Sequence, residues 1–372
     1  VLITGAGGSI GSELALIAAA HNPESLILIE RSENALFEIA RLLKARAPGV
    51  RVRALLHDVV EATSTRAYLE ALRPHVVLHA AAHKHVPIME DHPAHAVRNN
   101  LFGTKSIADA ALVAGVERFV MISTDKAVTP RSVMGATKRF AERYVRSLNT
   151  RSGSDAGRFR MVRFGNVLGS ACSVAPIWAR QVAEGGPVTV THPEMTRYFM
   201  TIPEAASLVI QAASLDAPEC GGADIFVLDM GRPVRIVDLA ERFVRLQGFE
   251  PRFPDPRADE HDITPSVLPT MDVVFTGARP GEKLHEELAH DEESLRETDA
   301  PGVLALAPGE PEPLDALDRM VQELREVQWT LEKDEALRVV RRHAPGVAPE
   351  HASDENTDTS QTNGAAAGLH AA

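Results

Sequence analysis

The sequence has few cysteines, few aromatic residues and no long apolar run. Its 372 residues include only two cysteines, Cys172 and Cys220, too few for a disulfide framework or a four-thiolate zinc site. Aromatic residues make up 5% of the chain, and no apolar stretch approaches the ~20 residues that a membrane-spanning helix needs. We therefore expect a globular protein from a reducing compartment, with no signal peptide or spanning helix in this chain.

An excess of basic charge is also missing. The net charge of -12 argues against a nucleic-acid partner, because such proteins normally carry a basic surface. The charge is unevenly spread: residues 1–250 hold 28 basic and 25 acidic side chains, and residues 251–372 hold 11 and 26. The slightly basic first part suits a small ligand that carries phosphate.

Short apolar runs recur along the first half of the chain and alternate with helical patterns. The runs fall at residues 1–4, 26–29, 76–79, 119–122 and 161–164. Neighbouring parallel strands need a crossover connection, usually a helix, so this alternation indicates a parallel sheet covered on both faces. The sequence therefore predicts an α/β fold with a doubly wound parallel sheet of the Rossmann type.

Beyond residue 168 the alternation weakens, which indicates a second, smaller lobe. We expect the doubly wound domain to span residues 1–168 and the lobe to span 169–290, with some elements packing back on the first domain. A C-terminal helical extension is expected over 291–345. Residues 346–372 have too little apolar surface to form a core and are expected to be a disordered tail.

A glycine-rich turn follows the first apolar run and precedes a helical pattern. Gly5, Gly8 and Gly11 have a GxxGxxG spacing there. Glycines let the backbone approach a pyrophosphate, whose charge is stabilised by the N–H groups at a helix start. Glu30 closes the second run 19 residues after Gly11, where a carboxylate can bind both ribose hydroxyls of an adenosine. Together these features predict a dinucleotide site.

Residues near Glu30 bear on which dinucleotide binds. Glu30 would repel a 2′-phosphate, whereas the neighbouring Arg31 could hold one, so NAD is favoured and NADP is the alternative. Asp58 follows the apolar pair Leu55 and Leu56. It is placed either to meet the adenine edge or to cap a helix start, and the sequence leaves both open.

The segment MISTDKAVTPRSVMGATK, residues 121–138, carries the best candidates for chemistry. Adjacent side chains on a strand face opposite ways, so Asp125 and Lys126 can share one site only beyond the strand, in the turn before Pro130. A carboxyl beside an amine in a partly dry cleft can share a proton and so supply both an acid and a base. A surface ion pair is the alternative.

Several stretches together resemble one enzyme family. They are HAAAHKHVPIMEDHP (79–93), STDKAVTPRSVMGATKR (123–139), VRFGNVLGS (162–170), GGPVTVTHPEMTRYFMTIPEA (185–205), IFVLDMG (225–231) and GARPGEKLHEEL (277–288). Over about residues 1–290 the chain resembles the UDP-N-acetylglucosamine 4,6-dehydratases of capsular-polysaccharide biosynthesis, in the extended short-chain dehydrogenase/reductase superfamily. Met134 stands where that superfamily normally has Tyr, which is similar to the large, membrane-anchored subgroup whose product retains its C5 configuration.

The resemblance implies roles for the reactive segment. NAD would take the C4 hydride with Thr124 and Asp125 around the C4 hydroxyl, and Lys126 would remove the C5 proton. Asp125 would then protonate the departing C6 hydroxyl before the hydride returns to C6. Lys138 would hold the nicotinamide ribose. Met134 cannot do acid/base work, because a thioether carries no exchangeable proton.

The same resemblance implies two sets of ligand contacts. The expected cofactor contacts are Gly5, Gly8, Ser9, Ile10, Gly11, Glu30, Arg31, Asp58, Val59, Ala80, Ala81 and Lys138. The expected contacts with a UDP-sugar, UDP-N-acetylglucosamine or a relative, are Lys84, Asn166, Arg197, Arg279 and Glu282, with Lys283 as a weaker candidate. Lys84 is equally compatible with a solvated loop.

A metal site is not expected, although histidines crowd one stretch of the chain. Carboxylate or cysteine partners at the spacing of a metal site are absent around them. The histidines are His79, His83, His85, His92 and His95.

The resemblance also bears on assembly and location. Members of the subgroup carry transmembrane helices ahead of this domain, and the chain opens at Val1 inside an apolar run. We therefore expect the full-length protein to be anchored on the cytoplasmic side of the inner membrane. A homo-oligomer is expected, and Phe140, Tyr144 and Leu148 are assigned to the core or, with preference, to a helix-pairing dimer interface.

Two other functions stay open on the sequence alone. A UDP-sugar epimerase would act on the same substrates and leave their mass unchanged. A non-catalytic NAD-binding sensor would account for the missing Tyr, but the Asp125–Lys126 pair argues against it.

Overall fold

The computed structural model describes residues 1–151, 158–170, 173–216, 222–253, 268–290, 293–307 and 312–347. The expected disordered tail, residues 346–372, lies outside the described residues from 348 onward. Its first two residues are described, and Val347 is 2% exposed and packs in the core, so the expectation is wrong for them. Cys172 and Cys220 also lie outside the described residues.

A nine-stranded sheet forms the centre of the described part of the chain. Its strands are β1 (Leu2–Thr4), β2 (Leu26–Glu30), β3 (Val52–Leu56), β4 (Val76–His79), β5 (Arg118–Ile122), β6 (Phe159–Arg163), β11 (Ile225–Leu228), β15 (Leu295–Glu297) and β16 (Val303–Leu306). The order is β15-β16-β11-β6-β5-β4-β1-β2-β3, and every pair from β11 to β3 is parallel. The antiparallel β16 and β15 extend the sheet beyond β11.

Helices cover both faces of this sheet. They are α1 (Ser9–Ala20), α2 (Glu33–Arg46), α3 (Ala62–Leu72), α4 (Val86–Asp91), α5 (Pro93–Ala96), α6 (Gly103–Val113), α7 (Val133–Arg151), α8 (Val174–Ala183), α9 (Ile202–Ser214), α10 (Ile236–Leu246), α11 (Leu314–Val327) and α12 (Lys333–His343). A π-helical segment, Val97–Phe102, precedes α6, and a 3-10 turn, Asp125–Ala127, precedes α7. Among the described residues, no helix is both long enough and apolar enough to span a membrane.

Alternation along each strand divides the core into two layers. Phe119 packs in the layer with α3, α6 and α7, and the next residue, Val120, packs in the layer with α1, α2 and α9. Both are fully buried, as expected for strands covered on both sides. The predicted doubly wound α/β fold is confirmed. The chain reverses its winding between β1 and β4, and ligands bind at such a switch point at the carboxyl ends of the strands.

The smaller lobe has its own core. It contains a three-stranded sheet of β8 (Val188–Val190), β13 (Glu250–Arg252) and β14 (Thr270–Phe275), packed with α8 and α10 around Trp178. Two short strand pairs join it to the main domain: β7 (Asn166–Leu168) with β10 (Phe199–Thr201), and β9 (Thr196–Arg197) with β12 (Val234–Arg235). Within the expected lobe, α9 and β11 pack with the main core.

The C-terminal extension differs in two ways from the expectation. Its first part forms β15 and β16, because the apolar run Val303–Leu306 is buried beside β11.

Its helices, α11 and α12, pack against α7, so Phe140, Tyr144 and Leu148 are 0%, 6% and 2% exposed within a single chain. The dimer-interface assignment of these three side chains is therefore wrong, and the core alternative holds.

A buried ion pair joins α7 to β6. Glu142 and Arg163 are 1% and 0% exposed, with two hydrogen bonds of 2.8 and 2.9 Å between them. Ser123 and Arg139 donate further hydrogen bonds to the carboxylate. Burial opposes ionisation of Glu142, but the Arg163 charge and these hydrogen bonds outweigh it and lower its pKa to about 2.

Removing one partner of this pair leaves a buried, uncompensated charge. We expect Arg163→Met to destabilise the chain by about 3–5 kcal/mol, measured by urea unfolding at neutral pH. Arg41→Met, which breaks an exposed pair with Glu38, is the control and should cost less than about 1 kcal/mol.

The same pair predicts a pH dependence. Folding lowers the pKa of Glu142 from 4.5 to about 2. The contribution of its ionised form to the free energy of unfolding is therefore complete above pH 4.5 and is lost as the pH falls through 2. Wild type should therefore lose more stability than Arg163→Met over that interval. Equal losses would contradict the account.

Candidate active site

The glycine turn after β1 is shaped for close backbone approach. Gly5 has φ +62°, and a Cβ on it would lie 2.7 Å from the Ala81 nitrogen, two residues beyond the end of β4. Gly8 is the N-cap of α1 and brings no side chain to that helix start. The turn therefore presents backbone at the switch point, as a pyrophosphate site requires.

Glu30 ends β2 beside this turn. One carboxylate oxygen accepts the Gly7 N–H at 3.1 Å, and the other accepts the N–H groups of Arg31 and Ser32, each at 3.0 Å. These hydrogen bonds fix an acidic group at the place where the adenosine ribose was expected.

Arg31 is held by its surroundings. Its guanidinium donates to the Asn99 side-chain oxygen and contacts a His83 ring nitrogen, each at 3.0 Å, and lies 3.7 Å from Asp58. A 2′-phosphate would have to compete with these contacts and with the charge of Glu30.

A cavity of about 270 Å³ opens above the glycine turn. Of the expected cofactor contacts, those that line it are Gly5, Gly8, Glu30, Arg31, Asp58, Val59, Ala80 and Ala81. Ser9, Ile10 and Gly11 lie instead in the first turn of α1, and Lys138 lies on α7. The cavity is thus bordered by the ends of β1, β2 and β4, where a doubly wound sheet binds the adenosine half of a dinucleotide.

The structure adds three lining residues that were not among the expected cofactor contacts. His57, His83 and Asn99 border the cavity. Burial, the Arg31 charge and neighbouring His95 lower the pKa of His83 to about 4, so its ring is neutral at physiological pH. No local motif marked these residues as ligand contacts.

Asp58 does not cap a helix. The N-cap of α3 is Glu61, whereas an Asp58 oxygen accepts the Val60 N–H at 3.1 Å and closes a turn. The capping alternative is wrong, and the placement of Asp58 on the cavity wall agrees with the adenine-edge alternative.

The reactive segment lies where the adjacency argument predicted. β5 ends at Ile122, and Asp125 and Lys126 lie in the 3-10 turn that follows. The Asp125 side chain is 0% exposed and that of Lys126 is 20% exposed, so a surface ion pair is wrong. Thr124 caps the turn and donates its hydroxyl to an Asp125 oxygen at 2.9 Å.

Three oxygen-bearing side chains surround the Lys126 amine. Its Nζ donates to Asp125 Oδ1 at 3.0 Å and to Asn166 Oδ1 at 3.4 Å, and it lies 3.4 Å from Glu286 Oε1. Burial disfavours the charged amine, but the Asp125 and Glu286 charges outweigh burial and the opposing Arg197, so the pKa of Lys126 is raised.

Both carboxyl groups at this amine keep one oxygen without a hydrogen-bond partner among the described residues. These atoms, Asp125 Oδ2 and Glu286 Oε2, are buried. Asp125 Oδ2 lies 2.9 Å from the place that a Cβ on Gly165 would take, so only glycine leaves it room. Buried polar atoms are normally paired, and an exception of this kind is typical of a site that exchanges protons with a ligand.

Lys138 and Met134 lie one helical turn apart on α7. The Lys138 amine donates to the Ile122 carbonyl at 2.6 Å, and burial lowers its pKa to about 8, with Glu142 acting against the shift. Met134 is 3% exposed and packs in the core layer. The usual tyrosine position therefore supplies no acid or base.

The expected substrate contacts separate into two groups. Asn166 and Arg197 adjoin the reactive cluster, where Arg197 is 7% exposed, donates to the Leu284 carbonyl and lies 4.0 Å from Glu286. Arg279 is exposed. It lies in a turn in which the Glu282 carboxylate accepts the backbone N–H of Arg279.

Two expected substrate lysines have protein contacts. Lys84 is exposed and lies 3.3 Å from the Ser170 hydroxyl. The Lys283 amine donates to the Val128 carbonyl at 2.7 Å and so fastens the loop after the reactive turn.

One of the clustered histidines, His79, has a structural explanation. His79 bridges the hydroxyls of Thr4 and Thr104 at 2.7 and 2.9 Å. Burial and the Lys138 charge lower its pKa to about 3, so it stays neutral. The described residues include no group of His, Cys, Asp and Glu arranged to hold a metal ion.

The doubly wound sheet, the glycine turn at its switch point and the turn after β5 define an α/β protein of the extended short-chain dehydrogenase/reductase type. Pen from Bacillus thuringiensis has a similar structure, at 30% identity and a TM-score of 0.70, over 84% of this chain and 88% of Pen. A double mutant of DesIV from Streptomyces venezuelae, a dTDP-glucose 4,6-dehydratase solved with NAD, shares the fold at 20% identity and a TM-score of 0.61, over 87% of this chain and 96% of that chain.

The chain belongs to the polysaccharide biosynthesis protein family, whose sequence profile matches residues 1–308. CapD, a capsular polysaccharide biosynthesis protein of Staphylococcus aureus, is 48% identical over 294 residues. The match covers 79% of this chain and 45% of CapD, so the chain spans about half the length of that relative. The UDP-N-acetylglucosamine 4,6-dehydratase (inverting) of Campylobacter jejuni is 28% identical, over 79% of this chain and 78% of that enzyme.

Close packing of α7 on the reactive turn predicts a strict need for glycine at position 135. A Cβ there would overlap the Lys126 carbonyl oxygen. Gly135→Ala should therefore destabilise the chain by about 1–3 kcal/mol in urea unfolding. Gly49→Ala is the control, since nothing lies within 4 Å of the place its Cβ would take and the change should be nearly neutral. Equal stability of the two variants would refute the packing argument.

Proposed function

We propose that the chain is a nucleotide-sugar 4,6-dehydratase that removes water from UDP-N-acetylglucosamine in the biosynthesis of surface polysaccharide. One observation carries the proposal: the buried Asp125 carboxyl and the nearly buried Lys126 amine lie 3.0 Å apart at the carboxyl end of β5, and the carboxyl keeps one buried oxygen without a partner among the described residues. Elimination needs such an acid and base together. Family membership and the named 4,6-dehydratase among the relatives support it.

The cavity at the switch point fits the adenosine half of NAD. Glycine backbone at Gly5 and Gly8 would approach the pyrophosphate, and the Glu30 carboxylate would accept both ribose hydroxyls. Lys138 would hold the nicotinamide ribose from α7. When bound, the cofactor supplies a transient hydride acceptor for the sugar carbon C4.

The proton steps fall to three residues of the reactive turn. Thr124 and Asp125 take the proton of the C4 hydroxyl, because their oxygens lie 2.9 Å apart in a hydrogen-bonded pair. Lys126 removes the C5 proton, which the C4 ketone has made acidic. Asp125 then gives its proton to the departing C6 hydroxyl, so the proton taken at C4 leaves in the water.

The proposed roles also bear on the configuration at C5. With Met134 at the usual tyrosine position, Lys126 would be both the base that removes the C5 proton and the acid that returns it, and a single group acts from one face of the sugar. Our proposal thus includes a product with unchanged C5 configuration.

The reaction is tested by incubating the chain with UDP-N-acetylglucosamine and NAD in deuterated water. We expect a product lighter by one water that carries deuterium at C5, read by mass spectrometry and NMR. An unchanged mass with inversion at C4 would identify an epimerase. No turnover together with tight NAD binding would favour a sensor.

The role of the base is tested by Lys126→Ala. The rate should fall on the order of 100- to 10,000-fold while NAD binding persists, because the amine acts on the sugar alone. Lys44→Ala, on the exposed face of α2, is the matched control and should keep full activity. Full turnover by Lys126→Ala would contradict the proposed mechanism.

Cofactor choice is tested at Glu30. Glu30→Gln should weaken NAD binding about 10-fold and narrow the preference for NAD over NADP, because the repulsive charge is gone. Titration calorimetry with both dinucleotides gives the two dissociation constants. Glu33→Gln, exposed at the start of α2, should change neither. Equal wild-type affinity for NADP would contradict the assignment.

A further inference from the structure

Glu286 reaches the reactive turn from a distant part of the chain. It lies in the segment that follows β14, and its side chain is 2% exposed. Its Oε1 atom lies 3.4 Å from the Lys126 amine and 4.0 Å from the Arg197 guanidinium. A buried carboxylate is costly unless it has a charged partner. Because Glu286 is buried beside Lys126, this contact is not a surface ion pair, and it limits where the amine can lie.

The charged groups that face the Lys126 amine come from three elements. They are Asp125 of the turn itself, Glu286 and Arg197 of β9, while Asn166 of β7 adds a neutral oxygen. Asp125 is committed to proton transfer with the sugar hydroxyls in the proposed mechanism. Glu286 is then the carboxyl group beside the amine that takes no part in this proton transfer.

We propose that Glu286 is a positioning residue for Lys126: it holds the amine in place and stabilises its positive charge when the amine accepts the C5 proton. The inference rests on the proposed function. In that step the C5–H bond breaks, its proton goes to Nζ, and its electron pair stays on the sugar as the enolate of the C4 ketone. No oxidant or reductant is needed.

In the proposed mechanism Asp125 takes up the C4 hydroxyl proton first, and its buried Oδ2 atom, without a partner among the described residues, is free to hold it. The negative charge of Asp125, which raises the pKa of Lys126, is thereby removed before the amine takes the C5 proton. Proton abstraction then creates an ammonium 3.4 Å from Glu286, so the carboxylate favours the charged product of the step.

Arg197 completes the arrangement from the other side. Its guanidinium donates to the Leu284 carbonyl at 3.2 Å and faces the same Glu286 oxygen. The segment that carries Glu286 is thereby tied to β9, and the carboxylate is balanced by two cations. We therefore assign Arg197 an indirect role: it holds Glu286 in place, and Glu286 contacts the Lys126 amine.

The test is Glu286→Gln in the full chain with NAD bound. We expect kcat to fall on the order of 10- to 100-fold with KM little changed, because the amine is less well held. The acidic limb of the kcat–pH profile should also move to lower pH, since the amine loses a negative neighbour. A purely structural role would lower kcat by the same ratio at every pH and leave the limb in place.

A second readout needs no turnover. Competitive acetylation of Lys126 by acetic anhydride, followed by peptide mass spectrometry across a pH series, reports the fraction of neutral amine. Lys126 should react faster at a given pH in Glu286→Gln than in wild type. If wild type dehydrates no sugar nucleotide, the proposed function fails, and this readout still decides the role of Glu286.

Two further variants complete the design. Glu287→Gln removes the exposed neighbouring carboxylate, whose charge lies beside Lys283, and should leave the pH profile and Lys126 labelling unchanged. Glu286→Asp keeps the charge on a shorter side chain. It should shift the pH profile and the Lys126 labelling in the same direction as Glu286→Gln, but by a smaller amount. It also serves if the glutamine variant does not fold. An unmoved limb and unchanged labelling in folded Glu286 variants overturn the proposal.

Discussion

Charge burial at the carboxyl end of β5 is the constraint on which the site depends. Two ionised clusters flank this strand end, and they differ in how fully their hydrogen bonds are satisfied. In the first cluster each Glu142 oxygen accepts two donors, from Arg163 and from Ser123 or Arg139. In the second, Asp125 and Glu286 each keep a buried oxygen without a partner among the described residues. The first cluster therefore fixes the strand end, and the second keeps the open hydrogen-bonding positions that the proposed proton transfers need.

The two clusters are linked through α7. Glu142 lies on this helix, as do Lys138, whose amine binds the Ile122 carbonyl, and Gly135, whose missing side chain lets the helix touch the reactive turn. A helix held by a buried ion pair is a rigid support, and the acid and base of the proposed mechanism need such support to keep their geometry. Met134 on the same helix fills core space where a tyrosine would bring a second acid.

The sequence was sufficient for the features that depend on local pattern. Apolar runs separated by helical patterns predicted the doubly wound sheet, and the adjacency of Asp125 and Lys126 predicted a turn beyond β5. Features that depend on distant contacts were missed. Glu286 reaches Lys126 from far along the chain, and no spacing rule relates the two. The packing of α11 and α12 on α7 was likewise hidden, because an apolar helix face fits a core and an interface equally well.

The central claim is that the buried turn after β5 supplies the proton transfers for a transient oxidation of C4 by NAD and for the elimination of water across C5 and C6. The most direct measurement uses UDP-N-acetylglucosamine with deuterium at C4 and follows the label by NMR and mass spectrometry. The account predicts a product that has lost water and carries the deuterium on C6. Deuterium that stays at C4, or returns there in a product of unchanged mass, would contradict it.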